Sequence, residues 1–313
     1  MRPVLALDIG GTKLAAAVVS ADGSVRGRRV IDTQPEDGAE RIIDRALDLA
    51  EAVRREEEAS PPLTAFGVST KGITREDGVL IAGMPGWSRL RIPALLRERF
   101  PDMAISVMND VKAATMAEMT WGALRGISHG LYFNLGTGIA AGIVAGGEIL
   151  VGAHGAAGEI GYILPGREAL GGDDPETPRP EDVPALLEER VGGRAVPGRT
   201  SRALGRALTM EQLAQQSDHD DKAAALLEDI LSELALWTVN VAVVVDPERV
   251  VIGGGFLRSP SDLCSRARQA FARAAVFCPQ VEPAHFGADS ALVGAGALAL
   301  RAKAAPPRPV LPI

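Results

Sequence analysis

The chain has 313 residues, a length that exceeds one small core and suits two compact domains. Hydrophobic residues make up 46% and charged residues 23%, enough apolar side chains for a sizeable core and a composition that excludes general disorder. Asp and Glu number 40 against 33 Lys and Arg, a net charge of −7, which is the reverse of the balance found in nucleic-acid binders.

Residues 4 to 8 read as a buried strand ending on Asp8. A Gly10-Gly11-Thr12 turn follows, then a strand through Ala15 to Val19. Ala21-Asp22-Gly23 turns the chain again towards Val25 to Ile31, so the opening is a run of hairpins. Residues 38 to 58 form an amphipathic helix with Ile42, Ile43, Ala46, Leu47 and Ala50 on one stripe. A strand at Thr64 to Val68 leads into a Gly/Pro-punctuated stretch ending in Pro85-Gly86-Trp87. A strand at Ile105 to Met108 runs into Asn109-Asp110 and a helix from Val111 to Trp121.

The strand, Gly/Thr turn, strand pattern then recurs as Leu131 to Leu135, Gly136-Thr137-Gly138 and Ile139 to Val144. Two related halves follow, divided near residues 115 to 125. The expected domains are 1–118, completed by a C-terminal helix of about 291–313, and 119–290. Residues 165 to 184 hold five prolines, three glycines and six acids, a surface-loop composition. Residues 222 to 244 are strongly helical. Arg249 to Ile252 is a strand, Gly253-Gly254-Gly255 a turn, and Ser261 to Ala275 a helix. A small-residue helix follows Ala291 and stops at Pro306-Pro307.

Cys264 and Cys278 are the only cysteines, so a disulfide framework and a cysteine-built zinc site are excluded. No apolar run approaches the ~20 residues of a membrane span. Met1-Arg2-Pro3 leads directly into a strand rather than a signal peptide. A soluble cytoplasmic protein is expected.

Candidate chemistry begins at Asp8-Ile9-Gly10-Gly11-Thr12-Lys13. Glycines let backbone N–H groups approach an anion, Thr12 adds a hydroxyl, and Asp8 suits a hydrated Mg²⁺. A plain hairpin with a buried acid explains the same residues. Gly136-Thr137-Gly138 offers a second such turn, and phosphates clamped between two domains need donors from both. Gly253 to Gly255 is either a helix-entry turn or a place where adenosine approaches the backbone. Asn109-Asp110 is either a helix cap or a base whose ionised form the helix N-terminus favours. Gly155 to Tyr162 sets Glu159 among small residues, open to a ligand or simply solvated.

LALDIGGTK (5–13), Asn109-Asp110, NLGTGIAAGIVAGG (134–147), GAAGEIGY (155–162), LEERVGGRA (187–195) and DPERVVIGGG (246–255) stand in one order. In that order they resemble the ROK family of sugar kinases, near the bacterial glucokinase type, over about Val4 to Leu300. The resemblance implies an α/β, actin-like ATPase fold of two ribonuclease-H-like domains around a central cleft. It also implies ATP, Mg²⁺, transfer to a hexose hydroxyl (typically the 6-OH) and a homodimer. Asp8, Gly10, Gly11, Thr12 and Lys13 match the first phosphate motif and Gly136, Thr137 and Gly138 the second. Gly253, Gly254 and Gly255 match the adenosine motif. Asp110 matches the catalytic base and Asn109 its sugar-binding neighbour, with Glu159, Glu188 and Gly72 at further sugar positions.

The departures are specific. Tyr162 replaces a histidine that contacts sugar and often ligates zinc. The cysteine-rich zinc loop is replaced by residues 165 to 184, and its last cysteine position is Leu186, so no zinc is expected. Gly83 stands where an asparagine contacts sugar, and Lys71 where proline is usual. With phosphate and base motifs kept, the expected substrate is glucose or an analogue, including an amino sugar such as kanosamine. Glu159 and Glu188 suit an ammonium group, whereas a Lys71 facing the sugar would oppose it. The alternatives are a non-catalytic sugar sensor and a sugar-responsive transcription regulator; the latter carries a DNA-binding segment ahead of the first motif, which here begins at Asp8. No nucleic-acid or membrane partner is expected.

Overall fold

Strand β1 (Val4–Ile9) alternates its side chains between two apolar layers, as a strand buried on both faces must. Leu5, Leu7 and Ile9 enter one core cluster, Val4 and Ala6 another. The computed structural model describes residues 2–57, 62–74, 80–81, 86–170, 186–255 and 260–304. These divide into two compact units, one within 2–125, 151–156 and 288–304, the other within 126–150 and 157–287.

In the first unit, β1 is followed by β2 (Lys13–Val19), β3 (Val25–Asp32), α1 (Ala39–Glu56) and β4 (Ala65–Thr70). A two-stranded ribbon, β5 (Ile73–Thr74) and β6 (Leu80–Ile81), leads to α2 (Ile92–Arg99), β7 (Ala104–Asn109) and α3 (Asp110–Trp121). The sheet order is β3-β2-β1-β4-β7, with β1, β4 and β7 parallel and the hairpin strands antiparallel. The stripe of α1, including Ile42, Ile43, Ala46 and Ala50, covers the Leu5-Leu7-Ile9 face.

The second unit repeats the plan. It comprises β8 (Gly130–Leu135), β9 (Ile139–Ala145), β10 (Glu148–Ile149), α4 (Leu187–Val191), α5 (Val196–Leu204), α6 (Met210–Gln216), α7 (Asp221–Val245), β11 (Arg249–Gly253), α8 (Pro260–Ala274) and β12 (Gln280–Pro283). Its sheet order is β10-β9-β8-β11-β12, again an antiparallel hairpin joined to parallel strands. Ile230, Leu234 and Val239 of α7 and Leu263, Ala267 and Phe271 of α8 pack with Phe133, Leu135 and Ile252 of the sheet.

The chain then returns to the first unit as α9 (Ser290–Ala304). Its small residues allow backbone-close packing. A Cβ on Gly294 would overlap the Ala113 carbonyl of α3, and one on Gly67 in β4 would overlap the Ala295 carbonyl. The two matching sheets, each a ribonuclease-H-like layer, make this an actin-like ATPase fold. The strands and helices expected at the motifs are all present, whereas α2, α4 to α6 and β12 were not foreseen.

Candidate active site

In the first unit the parallel register brings three strand ends together. Asp8 of β1 lies opposite Ser69 of β4, and Thr70 opposite Asn109 of β7. The Ser69 hydroxyl donates to the Asp8 carboxylate. Asp8 is only partly covered at its surface, but its carboxyl is embedded deeply enough for burial to dominate. Burial, with the negative charges of Asp110 and Asp289, outweighs the Ser69 bond and pushes its pKa up to about 7.

The turn after Asp8 is partly closed on itself, since Gly10 N donates to the Lys13 carbonyl at 3.0 Å. Thr12 and Lys13 are exposed and Gly11 half-buried. Gly72, half-buried at φ 100°, occupies the left-handed region that glycine enters without cost.

Asn109 is buried and caps α3, its Oδ1 accepting Lys112 N at 2.9 Å. Asp110 therefore begins the helix, where the macrodipole stabilises an anion. Its Oδ1 accepts Val111 N at 2.9 Å. Burial raises its pKa most, opposed by that N–H and by the Lys71 and Lys112 ammonium groups. Lys112 is buried, and its Nζ donates to the Gly155 carbonyl at 2.9 Å, tying the start of the Gly155 segment to α3.

In the second unit, Gly136 N donates to the Gly138 carbonyl at 2.9 Å, closing that turn as Gly10 closes the first. Gly193 N and Arg194 N donate to the carbonyls of Gly136 and Thr137 at 3.1 and 2.9 Å. Glu188 Oε2 accepts Ile139 N at 3.1 Å. Gly158, at φ 85°, lies against β9, its carbonyl accepting Ala141 N at 2.7 Å. Glu159 is half-buried, and Tyr162 is 52% exposed. Partial burial, then the Glu159 and Glu188 carboxylates, raise the Tyr162 pKa. Tyr162, Glu188, Glu189 and Arg194 line a cavity of about 360 Å³.

The glycines after β11 have an internal reason. A Cβ on Gly254 would overlap the Leu135 carbonyl and one on Gly253 would crowd the Tyr132 ring, while Gly255 faces open space. Gly83 and residues 171–184 of the Pro/acid loop lie outside the described residues. Among the described residues no group of three or more His, Cys, Asp or Glu side chains could hold a metal, and no helix is long and apolar enough to cross a membrane.

Thus Asp8, the first turn, Gly72, Asn109 and Asp110 gather in one unit. Glu159, Tyr162, Glu188 and the second and third turns belong to the other. The Ser69 hydroxyl, the Lys112 anchor and Arg194 were not foreseen. A Ser ending the buried run Ala65 to Val68 was the available signal for the first of these.

The ROK family model matches residues 4–302. The chain belongs to the ROK family. Among its ROK relatives is an N-acetylmannosamine kinase of Escherichia coli O7:K1, 30% identical over 96% of this chain and 99% of its own. The ROK hexokinase of Thermus thermophilus superposes with a TM-score of 0.79 at 29% identity, covering 97% of this chain and all of that one. The ROK glucokinase of Streptomyces griseus, solved with glucose and AMPPNP, superposes with a TM-score of 0.74 at 25% identity, covering 96% and 100%.

Proposed function

We propose that this chain is a sugar kinase that transfers the γ-phosphoryl group of ATP to a hexose hydroxyl, the 6-OH of glucose or of an amino-sugar analogue. The observation that carries the reading is Asp110 at the start of α3, beside Asp8 and the glycine turn. A carboxylate there can take the hydroxyl proton, while the Gly10 to Lys13 and Gly136 to Gly138 turns bind phosphates and Gly253 to Gly255 border the adenosine. The S. griseus relative's AMPPNP supports the choice of nucleotide.

Mg²⁺ fits the donor set. Asp8 is a hard oxygen ligand whose pKa is raised first by burial and then by the Asp110 and Asp289 carboxylates, a negative surrounding that a cation would offset, and Mg²⁺ is held by one or two carboxylates with waters and phosphates. Asp8 would hold the ion through water, and bound Mg²⁺ supplies charge neutralisation for the phosphates. Ser69 orients that carboxylate.

Glu159, Tyr162 and Glu188, with Asn109 and Gly72, contact the sugar in this reading. Two carboxylates beside a phenol suit a substrate rich in donors, such as an amino sugar like kanosamine. The N-acetylmannosamine kinase relative supports an amino-sugar class. A cytoplasmic homodimer completes the proposal; Leu236, Val243 and Val244 form an exposed apolar stripe on α7 that suits a second copy.

The experiment is a panel: purified protein, Mg–ATP, and glucose, mannose, glucosamine, kanosamine and N-acetylmannosamine, with ADP release coupled to a readout. Turnover with at least one sugar is expected. No turnover with any, alongside tight sugar binding, would favour a non-catalytic sensor instead.

A further inference from the structure

Lys71 has no part in the roles assigned above. Its backbone is held in place, since Lys71 N donates to the Ile9 carbonyl at 3.1 Å. That bond sets the first residue after β4 against the end of β1, where the glycine turn begins. The half-buried side chain then lies along the turn. A Cβ built on Gly11 would be 3.4 Å from Lys71 Nζ and 3.5 Å from its Cδ. Among the described residues, no carboxylate is within ion-pair distance of this ammonium. Its charge is nonetheless felt at Asp110, whose ionised form it favours.

A half-buried lysine with no ion-pair partner among the described residues, placed beside the Gly10–Lys13 turn and near Asp110, differs from the paired arginines of the surface. Arg45, Arg54, Arg99 and Arg266 each hold a carboxylate. An ammonium carries three donors on a flexible stem and can follow a moving phosphoryl group.

We propose that Lys71 is a catalytic residue of this chain, its ammonium touching the transferring phosphoryl group at the Gly10 to Lys13 turn. This rests on the kinase reading above. In the step, the sugar hydroxyl oxygen bonds to the γ-phosphorus as the bond to the β–γ bridging oxygen breaks. The bridging oxygen leaves with the electron pair on ADP, and the hydroxyl proton passes to Asp110. Lys71 stays protonated throughout. It offsets the charge on the equatorial oxygens as the new bond forms, and it keeps Asp110 ionised before the step.

The test compares wild type, Lys71→Met and Lys71→Arg with Mg–ATP and whichever panel sugar the wild type turns over fastest. Removing one transition-state donor costs about 10²–10³ in kcat, and that loss is expected for Lys71→Met. The sugar KM is expected to stay within about threefold, the pattern of an interaction made in the transition state. Lys71→Arg should recover part of the loss. The acid limb of the kcat–pH profile of Lys71→Met should move to higher pH, because Asp110 loses a neighbouring cation. A merely structural lysine would move the melting temperature and leave that limb in place. If the wild type turns over a sugar and Lys71→Met keeps kcat within about fivefold, the lysine proposal is overturned and the kinase reading stands. A wild type inactive on every sugar overturns the kinase reading and this proposal with it. Should Lys71→Met lose its melting transition, Lys71→Gln, which keeps a polar tip, decides by the same criteria.

Discussion

Glu188 Oε2 accepts the backbone N–H of Ile139 at 3.1 Å, so a proposed sugar-binding acid also holds the end of the second glycine turn. The carboxylate occupies the space that a side chain on Gly138 would need. Gly138→Ala should therefore expel Glu188 while the fold survives. Misplacing a substrate-positioning group by about 1 Å can cost ~10²-fold, and a loss of kcat/KM of that order is expected. Thermal melting within a few degrees of wild type, measured alongside, would separate displacement from unfolding.

Asp110→Asn should abolish most transfer, by about 10² to 10⁴ in kcat, with Mg–AMPPNP binding by calorimetry little changed. In the wild type, burial raises the Asp110 pKa, so the ionised base is lost as pH falls through a value above the ordinary carboxylate range. The acid limb of kcat should lie correspondingly high. Substantial turnover by Asp110→Asn would remove the base assignment.

Asp8 has a consequence for stability. Its pKa rises from 3.8 to about 7 on folding, so the folded chain favours the protonated carboxyl. This contribution is fully present below pH 3.8 and is lost as pH rises to about 7. Asp8→Asn should raise the melting temperature of the ligand-free protein by on the order of a few degrees at pH 8, and by less at pH 5. The same variant should lose Mg–ATP-dependent turnover. Equal melting shifts at both pH values would contradict the titration.

Tyr162→His should change sugar preference without removing turnover. The phenol lies near Glu159 and Glu188, the carboxylates proposed above to contact the sugar. One hydrogen bond contributes about 0.5–1.5 kcal/mol net, so a shift of up to roughly tenfold in the glucose to amino-sugar kcat/KM ratio is expected. An unchanged ratio across the panel would show that Tyr162 does not read the sugar.

Zinc should be absent from purified protein by metal analysis, and chelator should not lower its melting temperature. Cys264 is buried in the apolar core of its unit, Cys278 is exposed, and Leu186 and Tyr162 stand at two expected ligand positions. Stoichiometric, chelator-resistant zinc would refute this.

The local signals were legible because each is a property of a few neighbouring residues. Apolar runs ending at Asp8 and Asn109, glycine turns at 10–11 and 136–138, and the stripe of α1 follow from strand and helix periodicity and from backbone freedom at glycine. The recurrence of strand, turn and strand implied two like sheets, and the sheet orders match. Pairing across sequence distance was not legible. Ser69 reaches Asp8 only because β1 and β4 pair in parallel at that register, and Lys112 reaches Gly155 only because α3 and the 151–156 segment share a unit. The placement of Glu188 at the second turn and of Lys71 beside the first was likewise decided by tertiary structure. Which donor a buried carboxylate meets depends on chain segments brought together by burial of their apolar faces, and no spacing within one segment records that.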